Sequence, residues 1–171
     1  MFVLNTASAA SHFEKRLKAI GQAEKRSLYA IWTMGGEVMP WTKKSPPNYV
    51  ERAHALLGRT VDQGIVWDFI ATARLMQKKD LRVGGAGRDG ILAAYAALLE
   101  PSIKEVVVIE PPTSHKEGPH FLGVQRVLDI PEALGLLAPT PLTIIGGNDP
   151  AFDRTAEIYR RAGAADKLRR Q

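Results

Sequence analysis

The clearest hydrophobic pattern in the chain opens at Thr60, where Val61, Ile65, Phe69, Ile70, Ala73 and Met76 recur on one helical face as far as Lys78. Thr60 followed three residues later by Gln63 forms a capping box, in which each side chain satisfies the other residue's backbone N–H at a helix start. Trp67 is assigned to the apolar side of this helix and to the core. A second helix follows residues 84–90, turning Ile91, Leu92, Tyr95, Leu98 and Leu99 inward until Pro101 stops it. Phe13, Leu17 and Ile20 predict an amphipathic helix over residues 8–26, and a short helix carries Tyr49 and His54. The last helix starts near Asp153, read as its N-cap, and stops at Gly163.

Between these helices lie short runs rich in branched and aromatic residues: Ser27 to Thr33, Leu81 to Val83, Glu105 to Ile109 and Leu142 to Ile145. Val106, Val107, Val108 and Ile109 are consecutive rather than alternating, the signature of a parallel strand covered on both faces. Alternating strands and helices predict an α/β fold with a parallel, doubly wound sheet of about four strands flanked by helices. Ligands of such sheets sit at the carboxyl ends of the strands. Attention therefore falls on three loops, Gly84 to Gly90, Glu110 to His120 and Gly146 to Asp153.

Composition narrows the chemistry. Hydrophobic residues make up 45% of the 171 residues and charged ones 24%, as expected of one globular domain. No apolar run reaches the eighteen residues of a membrane span, and Met1-Phe2-Val3-Leu4 has neither the length nor the preceding charge of a signal peptide. The default expectation is a cytoplasmic protein without a membrane partner. With no cysteine, thiol nucleophiles, thiolate metal sites and disulfides are excluded. The net charge of +5 comes from mixed-charge segments, so no nucleic-acid partner is expected, although Lys167 to Arg170 is the densest basic cluster.

Gly85-Ala86-Gly87-Arg88-Asp89-Gly90 satisfies the G-x-G-x-x-G dinucleotide pattern, and Glu110 follows Gly90 by twenty residues at a strand end. In that reading the helix amino end holds the pyrophosphate of NAD and Glu110 binds ribose hydroxyls. Asp89 would place negative charge beside the phosphate. The same turn also fits the strand–turn–helix context of the nucleophile elbow, G-x-S-x-G. There Gly85 matches the first glycine, Gly87 takes the nucleophile position, Asp89 replaces the second glycine, and Gly90 follows it. A tight turn that simply needs glycine explains the segment equally well.

The stretches Trp41 to Trp67, Gly85 to Leu98, Val106 to Pro112 and Asp129 to Leu168 together resemble bacterial acetyl xylan esterases of the prolyl-oligopeptidase branch of the α/β-hydrolase superfamily. The resemblance implies an ester hydrolase ancestry and a small-molecule or carbohydrate ester ligand, with no cofactor. It places the acid of the triad at Asp149, in Gly146-Gly147-Asn148-Asp149-Pro150, with Asp153 as runner-up; Asp149 also reads as a turn former before Pro150. The triad order of this fold is nucleophile, acid, histidine. Gly87 offers no hydroxyl, and the four histidines are His12, His54, His115 and His120, all before Asp149. The expectation is a single hydrolase-like domain over 1–171, without the early strands and the final histidine-bearing segment, inactive as a serine esterase. Open sheet edges would then suit pairing with another chain.

Three further groups have a plainer explanation. His115, Glu117 and His120 could supply two imidazoles and a carboxylate to zinc, but their spacing matches no strong motif, and a solvated loop is the expectation. Ser114 beside His115 has no orienting acid nearby in sequence and reads as turn former. Trp32, Trp41 and Trp67 could suggest a carbohydrate platform, yet packing is the commoner use of tryptophan.

Overall fold

The computed structural model describes residues 2–5, 28–31, 48–76 and 80–171. The expected helix over residues 8–26 and the loop containing Trp32 and Trp41 lie outside the described residues. Among the described residues six strands form one parallel sheet: β1 (Phe2–Asn5), β2 (Leu28–Ile31), β3 (Leu81–Ala86), β4 (Ile103–Ile109), β5 (Leu142–Ile145) and β6 (Leu168–Arg170), in the order β2-β1-β3-β4-β5-β6. The helices are α1 (Asn48–Leu56), α2 (Val61–Met76), α3 (Gly87–Leu99), α4 (Ile130–Gly135) and α5 (Asp153–Arg161). None of them is long and apolar enough to cross a membrane.

All four expected strands are present, and the α/β class and parallel sheet are as the alternation predicts. Two strands go beyond those expected: β1 is the short apolar run Phe2-Val3-Leu4 and β6 is largely basic. β1 precedes the Leu28–Ile31 strand, and β6 follows the last helix, where the sequence shows only a basic cluster. A third difference is length. β3 runs on through Gly84 and Gly85 to Ala86, so glycines read as loop are strand. They are strand because the neighbouring backbone is close: a Cβ on Gly84 would lie 2.6 Å from the Val107 carbonyl oxygen.

α2, α3, α4 and α5 pack side by side as one layer, and the core lies between that layer and the sheet. Leu81, Val83, Val106, Val108, Leu142 and Ile144 point from the strands into it, meeting Ile65, Phe69, Ile91, Leu92, Ile130 and Tyr159 from the helices. Val107 and Ile109, which point the other way, are also buried, as a parallel strand covered on both faces requires. On that second face Arg82 of β3 pairs with Glu105 of β4.

The capping box at the start of α2 forms as expected: Thr60 N donates to Gln63 Oε1 at 2.9 Å, and Gln63 N to Thr60 Oγ1 at 3.1 Å. Trp67 does not join the core. It is 62% exposed, because Ile65, Val66, Phe69, Ile70 and Ala73 define the buried stripe and residue 67 falls on the opposite side of a 3.6-residue turn. Leu99 is corrected in the same way: at the end of α3 it is 62% exposed, and Ala93, Ala94 and Ala96 take the inner positions beside Ile91 and Leu92. α5 spans the expected segment and is followed by Gly163 at φ 69°, the left-handed residue that commonly ends a helix.

Candidate functional site

The strand order itself locates the site. The chain leaves β1 toward β2 on one side and leaves β3 toward β4 on the other, so the order of strand addition reverses between β1 and β3. Crevices at such reversals, beyond the carboxyl ends of the strands, are where open α/β sheets bind ligands. Gly87 stands there. It is the first residue of α3, directly after β3, with φ 53°, a left-handed conformation that a non-glycine residue adopts only at a cost.

The three glycines of this turn do different things. A Cβ on Gly85 would lie 2.7 Å from both Asp89 C and Gly90 N, and a Cβ on Gly90 would lie 2.6 Å from Gly85 O and 3.2 Å from Val108 Cβ. Strand and helix backbones thus touch at Gly85 and Gly90, which makes the bend sharp. A Cβ on Gly87 would meet nothing within 4 Å among the described residues. The tip of the bend therefore faces open space, the presentation that an elbow gives its nucleophile. Asp89, in the first turn of α3, is buried. Glu110 directly follows β4, the strand beside β3, with φ 48°. A Cβ on Gly146 would come 2.9 Å from Glu110 Cγ, so this side chain leans over the loop after β5.

The loop from Glu110 to Asp129 is fastened at two points that sequence spacing does not reveal. Asp129 caps α4 in a full capping box with Glu132, and its carboxylate also gathers the loop. Ser114 Oγ and His115 N each donate to it at 2.7 Å, Ile130 N at 2.9 Å and Gln125 Nε2 at 3.3 Å. Ser114 thus does have an acid beside it, but one that accepts its hydroxyl proton and orients no histidine. Asp129-Ile130-Pro131-Glu132 was the legible signal, since Asp three residues before Glu is a helix-start signature. Burial opposes the Asp129 charge, yet the hydrogen bonds from Ser114, His115, Ile130 and Gln125 outweigh it and hold the carboxyl below its ordinary 3.8.

That depression gives Asp129 a stabilising contribution that is complete above its unfolded pKa and disappears as pH falls through the lower folded value. Asp129→Ala is expected to cost about 2 kcal/mol at neutral pH, through the lost cap and its charge-assisted bonds. The gap between wild type and variant should then shrink as the pH drops to about 3. Urea denaturation across that range tests it; a pH-independent gap would mean that the carboxylate charge is irrelevant.

His115, Glu117 and His120 are not brought together. His115 is buried, with Nδ1 2.8 Å from Pro119 O and Nε2 2.9 Å from the Tyr95 hydroxyl. Pro119 O only accepts, so in the neutral ring Nδ1 carries the proton and Nε2 accepts from Tyr95. Burial, with Asp129 adding to it, pushes the Tyr95 hydroxyl up to about 12, so it remains a donor. Tyr95, His115 and Phe121 stack edge-on, with ring centroids 4.6–5.8 Å apart. Glu117 and His120 are exposed. Among the described residues no group of three His, Asp or Glu side chains is placed to hold a metal ion.

The second fastening is Asp62, buried on α2. It pairs with Arg88, the residue after Gly87, and its Oδ2 accepts from His120 N at 2.5 Å. One carboxylate thereby joins α2, the turn between β3 and α3, and the loop after β4.

Asp149 forms the turn before Pro150 that its plainer reading expects, and Asp153 is not the N-cap of the last helix. Asp149 is the N-cap, accepting from Ala151 N at 2.8 Å ahead of a 3-10 turn over Pro150–Phe152. Asp153, corrected from N-cap to the first residue of α5, pairs with Arg170 Nη1 at 2.6 Å. Arg170 also donates to Gly147 O at 3.0 Å and Asp149 O at 3.2 Å. Part of the carboxyl-terminal basic cluster is therefore occupied in holding the loop that contains Asp149.

No protein-family model matches this sequence, and neither does any curated protein. Among solved structures, the chain is similar to a Bacteroides fragilis NCTC 9343 protein described as a "putative acetyl xylan esterase", with a TM-score of 0.66 at 18% identity. The match covers 99% of this chain and 57% of that one, so the chain spans little more than half the length of its neighbour. At this identity the likeness establishes the fold: a parallel α/β sheet of the kind that the esterase-like neighbour has.

Proposed function

We propose that the chain is an α/β-hydrolase-like protein, related to acetyl xylan esterases, that retains the frame of a nucleophile elbow and has lost its serine chemistry. One observation carries the reading: Gly87, at φ 53° between β3 and α3, points into open space while Gly85 and Gly90 keep the bend tight. Nucleophilic ester cleavage needs a hydroxyl at that tip and an imidazole to take its proton. Gly87 has no side chain and so presents no hydroxyl at that tip. A small-molecule or carbohydrate ester is the ligand class that the relationship suggests.

Purified protein is expected to leave p-nitrophenyl acetate unhydrolysed above background and to take up no stoichiometric fluorophosphonate label. A serine labelled in proportion to protein would sink this reading. The competing one, a dinucleotide site formed by Gly85, Gly87, Gly90 and Glu110, has in its favour that Glu110 directly follows the strand adjoining β3. Against it stand the buried Asp89 at the amino end of α3 and the lean of Glu110 toward Gly146. Calorimetric titration with NAD separates the two: saturable binding abolished in Gly87→Val favours the nucleotide.

A further inference from the structure

We propose that a cleft beside the elbow, between the start of α2 and the turn at 121–126, binds small organic carboxylates with an apolar body. Its volume is about 310 Å³, at the lower end of the range for small-ligand pockets. The wall combines Thr60, His120, Phe121, Leu122, Gln125 and Arg126, and no Asp or Glu lines it. Its floor is firm, because Phe121 packs against Tyr95 and His115 at centroid distances of 4.6 and 5.8 Å. The rim is apolar and accessible at Leu122, which is 53% exposed.

Charge selects the ligand class. The Arg126 guanidinium is exposed at the rim and none of the carboxylates among the described residues is bridged to it; those nearest in sequence, Asp129 and Glu132, are engaged in the α4 capping box. Gln125 is held in place, its Nε2 donating to Ser114 Oγ at 3.1 Å. A planar carboxylate matches the guanidinium fork, and an aromatic or alkyl body would cover Phe121 and Leu122. The site is separate from Gly87 and does not depend on whether the elbow is catalytic.

Benzoate and its uncharged counterpart benzamide are the probes, titrated by calorimetry into the whole chain. Saturable benzoate binding is expected, with benzamide about tenfold weaker. Arg126→Ala should weaken benzoate by about tenfold and leave benzamide and the melting temperature unchanged, while Arg126→Lys recovers part of the loss. Leu122→Asp, a second exposed change, should abolish benzoate binding. Equal binding of the two probes, unchanged benzoate affinity in Arg126→Ala, or no saturable benzoate binding would each overturn the proposal.

Discussion

Gly90→Ala is expected to destabilise the fold by about 3 kcal/mol, whereas Gly87→Ala, at the more exceptional backbone angle, costs only about 1 kcal/mol. The difference comes from what surrounds each Cα. The new methyl at position 90 would lie 2.6 Å from Gly85 O and 3.2 Å from Val108 Cβ, and a strand carbonyl in the middle of a parallel sheet cannot turn aside without losing its ladder. The new methyl at position 87 meets nothing within 4 Å among the described residues, leaving only the cost of φ 53°. Urea denaturation of both variants measures this directly. If Gly90→Ala fell within about 0.5 kcal/mol of wild type, strand and helix would not be in backbone contact, and the elbow geometry would lose its basis.

Asp62→Ala is the other large effect, at about 3 kcal/mol. Asp62 is 2% exposed and accepts from two groups that come from elsewhere in the chain, the Arg88 guanidinium and the His120 N–H. Its removal leaves the His120 amide without its acceptor and the Arg88 guanidinium without its salt-bridge partner, and Asp62→Asn, which keeps the shape, should recover part of the loss. Hydrogen exchange localises the damage, since the His120 amide should lose protection before the strand amides of β4 do. An unchanged exchange rate at His120 together with unchanged stability would show that the pair is dispensable.

How far the sequence revealed this molecule depends on the range of the interactions involved. Capping and periodicity act over a few residues, so the Thr60–Gln63 box, the last helix and the hydrophobic strands β4 and β5 were legible. Trp67 misled because hydrophobic character alone does not say on which side of a helix a residue falls. β3 was read too short because two glycines hide extended backbone whose reason is the neighbouring strand. β6 was hidden because Leu168-Arg169-Arg170 looks like a charged tail, and its sheet position rests on pairing with β5.

The site was legible in outline and not in its connections. The glycine spacing placed Gly87 between a strand and a helix, where it lies, and Asp149 lies in the loop after β5. The Asp62–Arg88 pair, the Tyr95–His115 hydrogen bond and the convergence of Ser114, His115 and Gln125 on Asp129 join residues far apart in sequence or lying in different elements. No local pattern encodes them. Asp129 is the exception: its capping box with Glu132 stood in plain view, and only the loop that it gathers did not.

The strand order also sets how the chain can assemble. From β3 onward each new strand is laid beside the one before it, so this part can grow by neighbour-to-neighbour additions with modest loop closures. β1 breaks that sequence: it must dock between β2 and β3, matching Leu4 to Gly84 across most of the first half of the chain. The pairing of β1 with β3 therefore closes a longer stretch of chain than any neighbour-to-neighbour addition from β3 onward.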